Sequence, residues 1–153
     1  MKLAEALILR ADYQKRVAEL NTRLERNAKV QEGMTPAMDP LALLDEQEKV
    51  IDAVLTLIQR INATNASTAF DESMTIADAL AVRDMLRERQ GAIRKLVSHA
   101  HVGQSRYGIN EVKFVPTVNI AVMQKRADDL SAEYRKLDTR IQALNWLVDL
   151  NEA

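Results

Sequence analysis

His99 and His101 are the chain's whole supply of imidazole, and there is no cysteine. The lack of thiols excludes thiolate zinc sites, disulfides and cysteine nucleophiles together. On a helix, residues two apart point to nearly opposite sides, so the two histidines would not share a metal; on an extended segment they would share a face. No third ligand stands at metal-binding spacing, and there is no Glu-x-x-His pair of the di-iron bundle type. Two surface histidines at a fraying helix end are expected, with no metal and no cofactor. Asp84 and Glu88 lie one helical turn apart and could bring two carboxylates together. Arg83, Arg87 and Arg89 surround them, which describes a solvated, charge-balanced face. Arg83, Arg87 and Arg94 could also form a basic ridge for phosphate. With acids interleaved and no aromatic stacking residues nearby, the pattern argues against a nucleic-acid partner. A glycine-rich phosphate loop, a Gly-x-Ser-x-Gly elbow and a dinucleotide fingerprint are all missing, so no catalytic residue is assigned. The densest polar and aromatic cluster is Arg106, Tyr107, Lys113 and Phe114. It either lines a cleft or anchors a loop. Anchoring is preferred, and Arg106, Tyr107 and Lys113 stand as the cleft candidates.

The elements that must position these residues follow from composition and periodicity. A chain of 153 residues predicts one domain with a core large enough to fold without staples. Apolar types make up 47% of it but aromatics only 4%, with 4 Gly and 3 Pro. An aliphatic core with few places to turn favours long helices over sandwiches or barrels. The 21 Lys+Arg against 22 Asp+Glu leave a net charge of −1, which argues against a polybasic membrane anchor. Uninterrupted apolar runs such as Ala6–Leu9, Leu41–Leu44 and Ala79–Val82 are far shorter than the roughly 20 residues of a membrane span. With no signal-peptide pattern near Lys2, the expected location is the cytoplasm. Asn62-Ala63-Thr64 and Asn65-Ala66-Ser67 match the glycosylation tripeptide, which chance explains in such a setting.

Four helices are predicted, over about 2–31, 40–61, 76–100 and 120–149. The last is clearest. Met123, Ala127, Leu130, Tyr134, Leu137, Ile141, Leu144 and Val148 recur at alternating steps of four and three, a seam of the coiled-coil kind and the candidate interface. Asn119 reads as its N-cap. The first helix carries Leu3, Leu7, Val17, Leu24 and Ala28 on one stripe, interrupted by Gln14 and Asn21, and is expected to end at Gly33 and Pro36. Asp12–Arg16, Glu19–Arg23 and Glu25–Lys29 are acid-before-base pairs suited to its exposed face. Asp39-Pro40 reads as an N-cap with proline at the first helical position. The second helix has two adjoining apolar stripes. Leu44, Ile51, Leu55 and Ile58 form one; Val50, Val54, Leu57 and Ile61 form the other. So wide a surface predicts more than one neighbour. Thr75 to Asp78 resembles a capping box at the start of the third helix, and Gly91 in its middle suggests a close helix approach. Glu111 to Val115 alternates polar and apolar and reads as a short strand, with 62–68 as its mate. The predicted fold is therefore mainly α: long antiparallel helices in a coiled-coil-like bundle with a small two-stranded β element.

Several of these stretches together resemble the septicolysin-like family of small bacterial proteins. They are Met1-Lys2-Leu3-Ala4-Glu5-Ala6-Leu7, Asn27-Ala28-Lys29-Val30-Gln31-Glu32-Gly33, Ile61-Asn62, Ala79-Leu80-Ala81 with Arg83-Asp84, Arg106-Tyr107, Lys113-Phe114-Val115 and Leu144-Asn145-Trp146. The resemblance runs in order over nearly the whole chain. It implies a helical, coiled-coil-like homo-oligomer, in the extreme a hexamer, and supplies no catalytic residues. The family label also raises a membrane-active, cytolysin-like alternative, but the helix faces mix signs and a membrane partner is not expected. A third alternative is an enzyme or small-ligand binder at a cleft near Arg106 and Tyr107. The preferred reading is a structural or scaffolding protein that associates with itself.

Overall fold

A computed structural model describes residues 1–103 and 112–152. Four helices account for most of them: α1 (Leu3–Asn27), α2 (Pro40–Ser67), α3 (Ile76–Ala100) and α4 (Ile120–Leu147). The chain divides into two units, Met1–Ala69 with Ala143–Ala153, and Phe70–Gln142.

In the first unit α1 and α2 form an antiparallel hairpin. Asn27 accepts the Met38 amide at 2.9 Å near the turn, and further along Gln47 donates to Asn21 at 2.5 Å. Leu3, Ala6 and Leu20 of α1 and Leu43, Leu57 and Ile61 of α2 are buried. Buried Gln47 is tolerated because its amide also reaches the Val17 carbonyl at 3.4 Å. Arg16 crosses to Glu46 at 2.5 Å and so does not make the expected pair with Asp12, which meets Lys15 instead. The end of α4 and the residues after it close this unit. Leu3 donates to the Val148 carbonyl at 2.9 Å and Leu150 to the Met1 carbonyl at 2.8 Å. The Lys2 ammonium spans the Leu147 carbonyl and the Asp149 carboxylate at 3.0 and 2.8 Å. The Asn151 amide donates to the Thr64 hydroxyl at 2.9 Å.

The second unit pairs α3 with α4 up to Gln142, also antiparallel, since Arg83 meets Asp138 while Gln90 meets Ser131. Its entry turn is built on Asp71, whose carboxylate accepts the Ser73 amide and hydroxyl, both at 2.8 Å, and the Met74 amide at 3.1 Å. The Arg140 guanidinium lies 4.4 Å above the Phe70 ring. Thr75 and Asp78 make the predicted capping box: the Thr75 amide donates to Asp78 at 2.9 Å and the Asp78 amide to Thr75 at 3.2 Å. Asp39 and Asn119 cap α2 and α4 through the Leu41 and Val122 amides.

Several expectations require correction. The expected strand over 62–68 is the last part of α2, which runs to Ser67. Asn, Thr and Ser are weak helix formers, but here the hydroxyls bond carbonyls one turn back, Thr64 to Arg60 at 2.7 Å and Ser67 to Ala63 at 2.8 Å. Burial of Ile61 and Thr64 then outweighs propensity. With that mate gone, Val112 to Val115 of the other expected strand carry no ladder among the described residues, and Glu111 lies outside them. Among the described residues β structure is limited to single bridge positions, at Ala69 and Thr75 and in the bridge between Lys2 and Asp149. Helix α1 ends at Asn27, well short of 31, because the Asn27 side chain donates to the Arg23 carbonyl at 2.8 Å while holding Met38. Gly33 does not stop the helix; its φ of 84° serves the loop beyond. Nothing lies within 4 Å of where a Cβ on Gly91 would sit, so no close helix approach requires that glycine.

Candidate functional site

The arginines offered by sequence as a phosphate ridge are engaged. Arg83, Arg87, Gln90 and Arg94 stand at steps of four, three and four on α3, and all turn toward α4. Arg83 pairs with Asp138 at 2.8 Å and with Asp84 at 3.4 Å. Burial works against its charge, but hydrogen bonding from Asp138 and the field of Asp84 outweigh this and raise its pKa further. Arg87 bonds the Tyr134 hydroxyl and lies 4.9 Å from that ring's centre. Gln90 meets Ser131, which Arg94 also reaches at 3.5 Å. The ladder is a helix–helix seam made of polar groups. Sequence reading placed Arg83 and Asp84 on a solvated face because Asp138, its main partner, is 55 positions away.

His99 and His101 line a hollow of about 420 Å³ at the end of α3, with Phe114 and Pro116 on another wall. His99 Nδ1 lies 2.8 Å from the Lys95 carbonyl, an acceptor only, so Nδ1 is the donor of that bond. Among the described residues no three His, Cys, Asp or Glu side chains are grouped to hold a metal. Lys113 is exposed and does not line the hollow. Arg106 and Tyr107 lie outside the described residues, so the cleft they were expected to form has no geometry to report. Among the described helices, none is long and apolar enough to cross a membrane.

The apolar surfaces are more prominent. Of the α4 seam, Ala127 and Ile141 are buried, while Met123, Leu130, Tyr134, Leu137, Leu144 and Val148 are half-buried. On α2 the stripe of Leu57 and Ile61 is covered within its unit, with Val50 and Val54 half-buried beside it. Of the adjoining stripe, Leu44 is 40% exposed, Ile51 46% and Leu55 52%, while Ile58 is half-buried; Leu41, in line with them, is 72% exposed. On α3, Val82, Met85 and Leu96 are 45%, 54% and 43% exposed. Trp146 is 55% exposed, while its neighbour Asn145 is buried.

The fold defines a protein of helical hairpins in which apolar helix faces, rather than converging functional groups, dominate the described surface. The chain belongs to the family of unknown function DUF6847, which matches residues 10–150. It is also similar to a solved structure, the crystal structure of a functionally unknown conserved protein from Corynebacterium diphtheriae. The two are 44% identical, with a TM-score of 0.91 over 99% of each chain. No curated protein matches the chain.

Proposed function

We propose that the chain is a cytoplasmic structural protein that works by associating with itself, its helices completing a coiled-coil-like bundle with those of further copies. The observation that carries this reading is the open stripe of α2, where Leu41, Leu44, Ile51 and Leu55 face solvent along one side of a helix already packed on its other side. Apolar surface removed from water is worth about 25 cal/mol per Å², and folded monomers seldom leave a continuous apolar stripe open. Closed symmetric assembly is the commonest way to cover one. The exposed Trp146 and Leu147 in the same unit support the same reading. So does the resemblance to the septicolysin-like family, which implies a homo-oligomer.

Sedimentation velocity at micromolar concentration tests the proposal. A species heavier than the 17.2 kDa chain is expected. The Ile51→Glu/Leu55→Glu variant should sediment as a lighter species with unchanged helical circular dichroism. A wild-type monomer throughout the micromolar range would overturn the reading.

A further inference from the structure

We infer that a second copy of this chain packs face to face on the α3–α4 hairpin, α3 of each copy lying over α4 of the other, so that two hairpins close a four-helix bundle. This rests on the self-association reading above and adds to the α2 stripe a second contact face, with its pairing.

The α3–α4 seam sets a ladder of polar side chains beside buried Ala79, Leu86, Val97 and Ala127. Arg83, Arg87, Gln90 and Arg94 occupy the side of α3 that meets α4. Between about a quarter and nearly half a turn round the same helix, at about 100° per residue, come Val82, Met85, Ile93 and Leu96. The first two and the last of these are exposed. On α4, Met123, Leu130 and Leu137 follow at intervals of seven, each half-buried. Ile93 and Leu130 line one groove between the helices. Two helices cannot enclose a stripe that both present to the same side; a second pair laid across it can.

Charge says what the second pair is. The same groove is walled by Arg89 and Glu133, with Arg126 and Asp129 further along α4, the latter held by Lys125. The ladder puts Arg89 and Glu133 at one level, since Arg87 meets Tyr134 and Gln90 meets Ser131. Both are exposed, and neither has an ion-pair partner among the described residues. A half-turn about an axis parallel to the helices keeps every level and exchanges α3 with α4. Arg89 then faces Glu133 of the second copy, Glu133 faces its Arg89, and Ile93 meets its Leu130. The surface is complementary to itself, the condition for an isologous contact.

The experiment compares the wild type with Arg89→Glu, Glu133→Arg and the double reversal by sedimentation at one protein concentration and salt. Each single reversal sets like charges against each other twice and should weaken the contact about tenfold. The double reversal should restore the wild-type mass. Single reversals that sediment like an assembled wild type would refute this face while leaving self-association standing; a monomeric wild type would remove both. A cross-link tests the face without altering charge. Because the chain has no cysteine, Ile93→Cys and Leu130→Cys variants, mixed and oxidised, should give a covalent dimer that neither gives by itself. Equal dimer yield from either variant separately would overturn the pairing.

Discussion

Gly91 costs α3 something and returns nothing visible. It is helical, mid-element, and a Cβ there would meet no atom within 4 Å. Glycine in a helix interior loses more backbone entropy than alanine, by about 0.5–1 kcal/mol. Gly91→Ala should therefore raise unfolding free energy by roughly that amount in urea titration. A destabilised variant would mean the position is crowded in a form of the protein other than the single chain. At this scale sequence reading did well where partners are near and poorly where they are distant. The Thr75–Asp78 box spans one turn and was legible from spacing. The Arg16–Glu46 bridge joins residues 30 apart, and nothing in the local pattern of α1 could choose Glu46 over Asp12. The cleft reading at Arg106 and Tyr107 rested on residue type with no periodicity behind it.

At the scale of elements, three carboxylates hold helix ends or turns, and all three have pKa values below the ordinary one. Asp71 is lowered first by the Ser73 amide, Asp78 by the Thr75 amide and Asp149 by its hydrogen bond from Lys2. A carboxyl group with a lower pKa when folded than unfolded stabilises the fold fully above its unfolded value, near about 4, and ever less as pH falls through its folded value. The urea midpoint should be level from about pH 7 to pH 5 and drop below about pH 4, with Asp78→Asn flattening part of the drop. A midpoint unchanged down to about pH 3 would contradict the assignment. The starts of α2, α3 and α4 were legible because a cap is a local signal. The end of α2 was not, since Ala63 to Ser67 look like loop residues until Thr64 is seen buried and bonded to Asn151. The double stripe of α2 was legible as two stripes, and the covered one proved to be that of Leu57 and Ile61. Which stripe would stay open could not be read from one helix.

For the whole molecule, self-association makes stability depend on how much protein is present, because partners that bind only the folded chain shift unfolding by mass action. The thermal midpoint should climb as concentration rises from about 1 to 100 μM, and the Ile51→Glu/Leu55→Glu variant should lose most of that climb. A midpoint independent of concentration would contradict an assembly in this range. The chain's own clasp, being intramolecular, does not depend on concentration. The bonds from Lys2 and Leu3 to Leu147 and Val148 tie positions up to 145 apart. Closing so long a loop carries the largest entropic toll of any contact in the fold. The knot near Asp149 is thus the most expensive contact to close, and it makes the opening residues a latch on the end of α4.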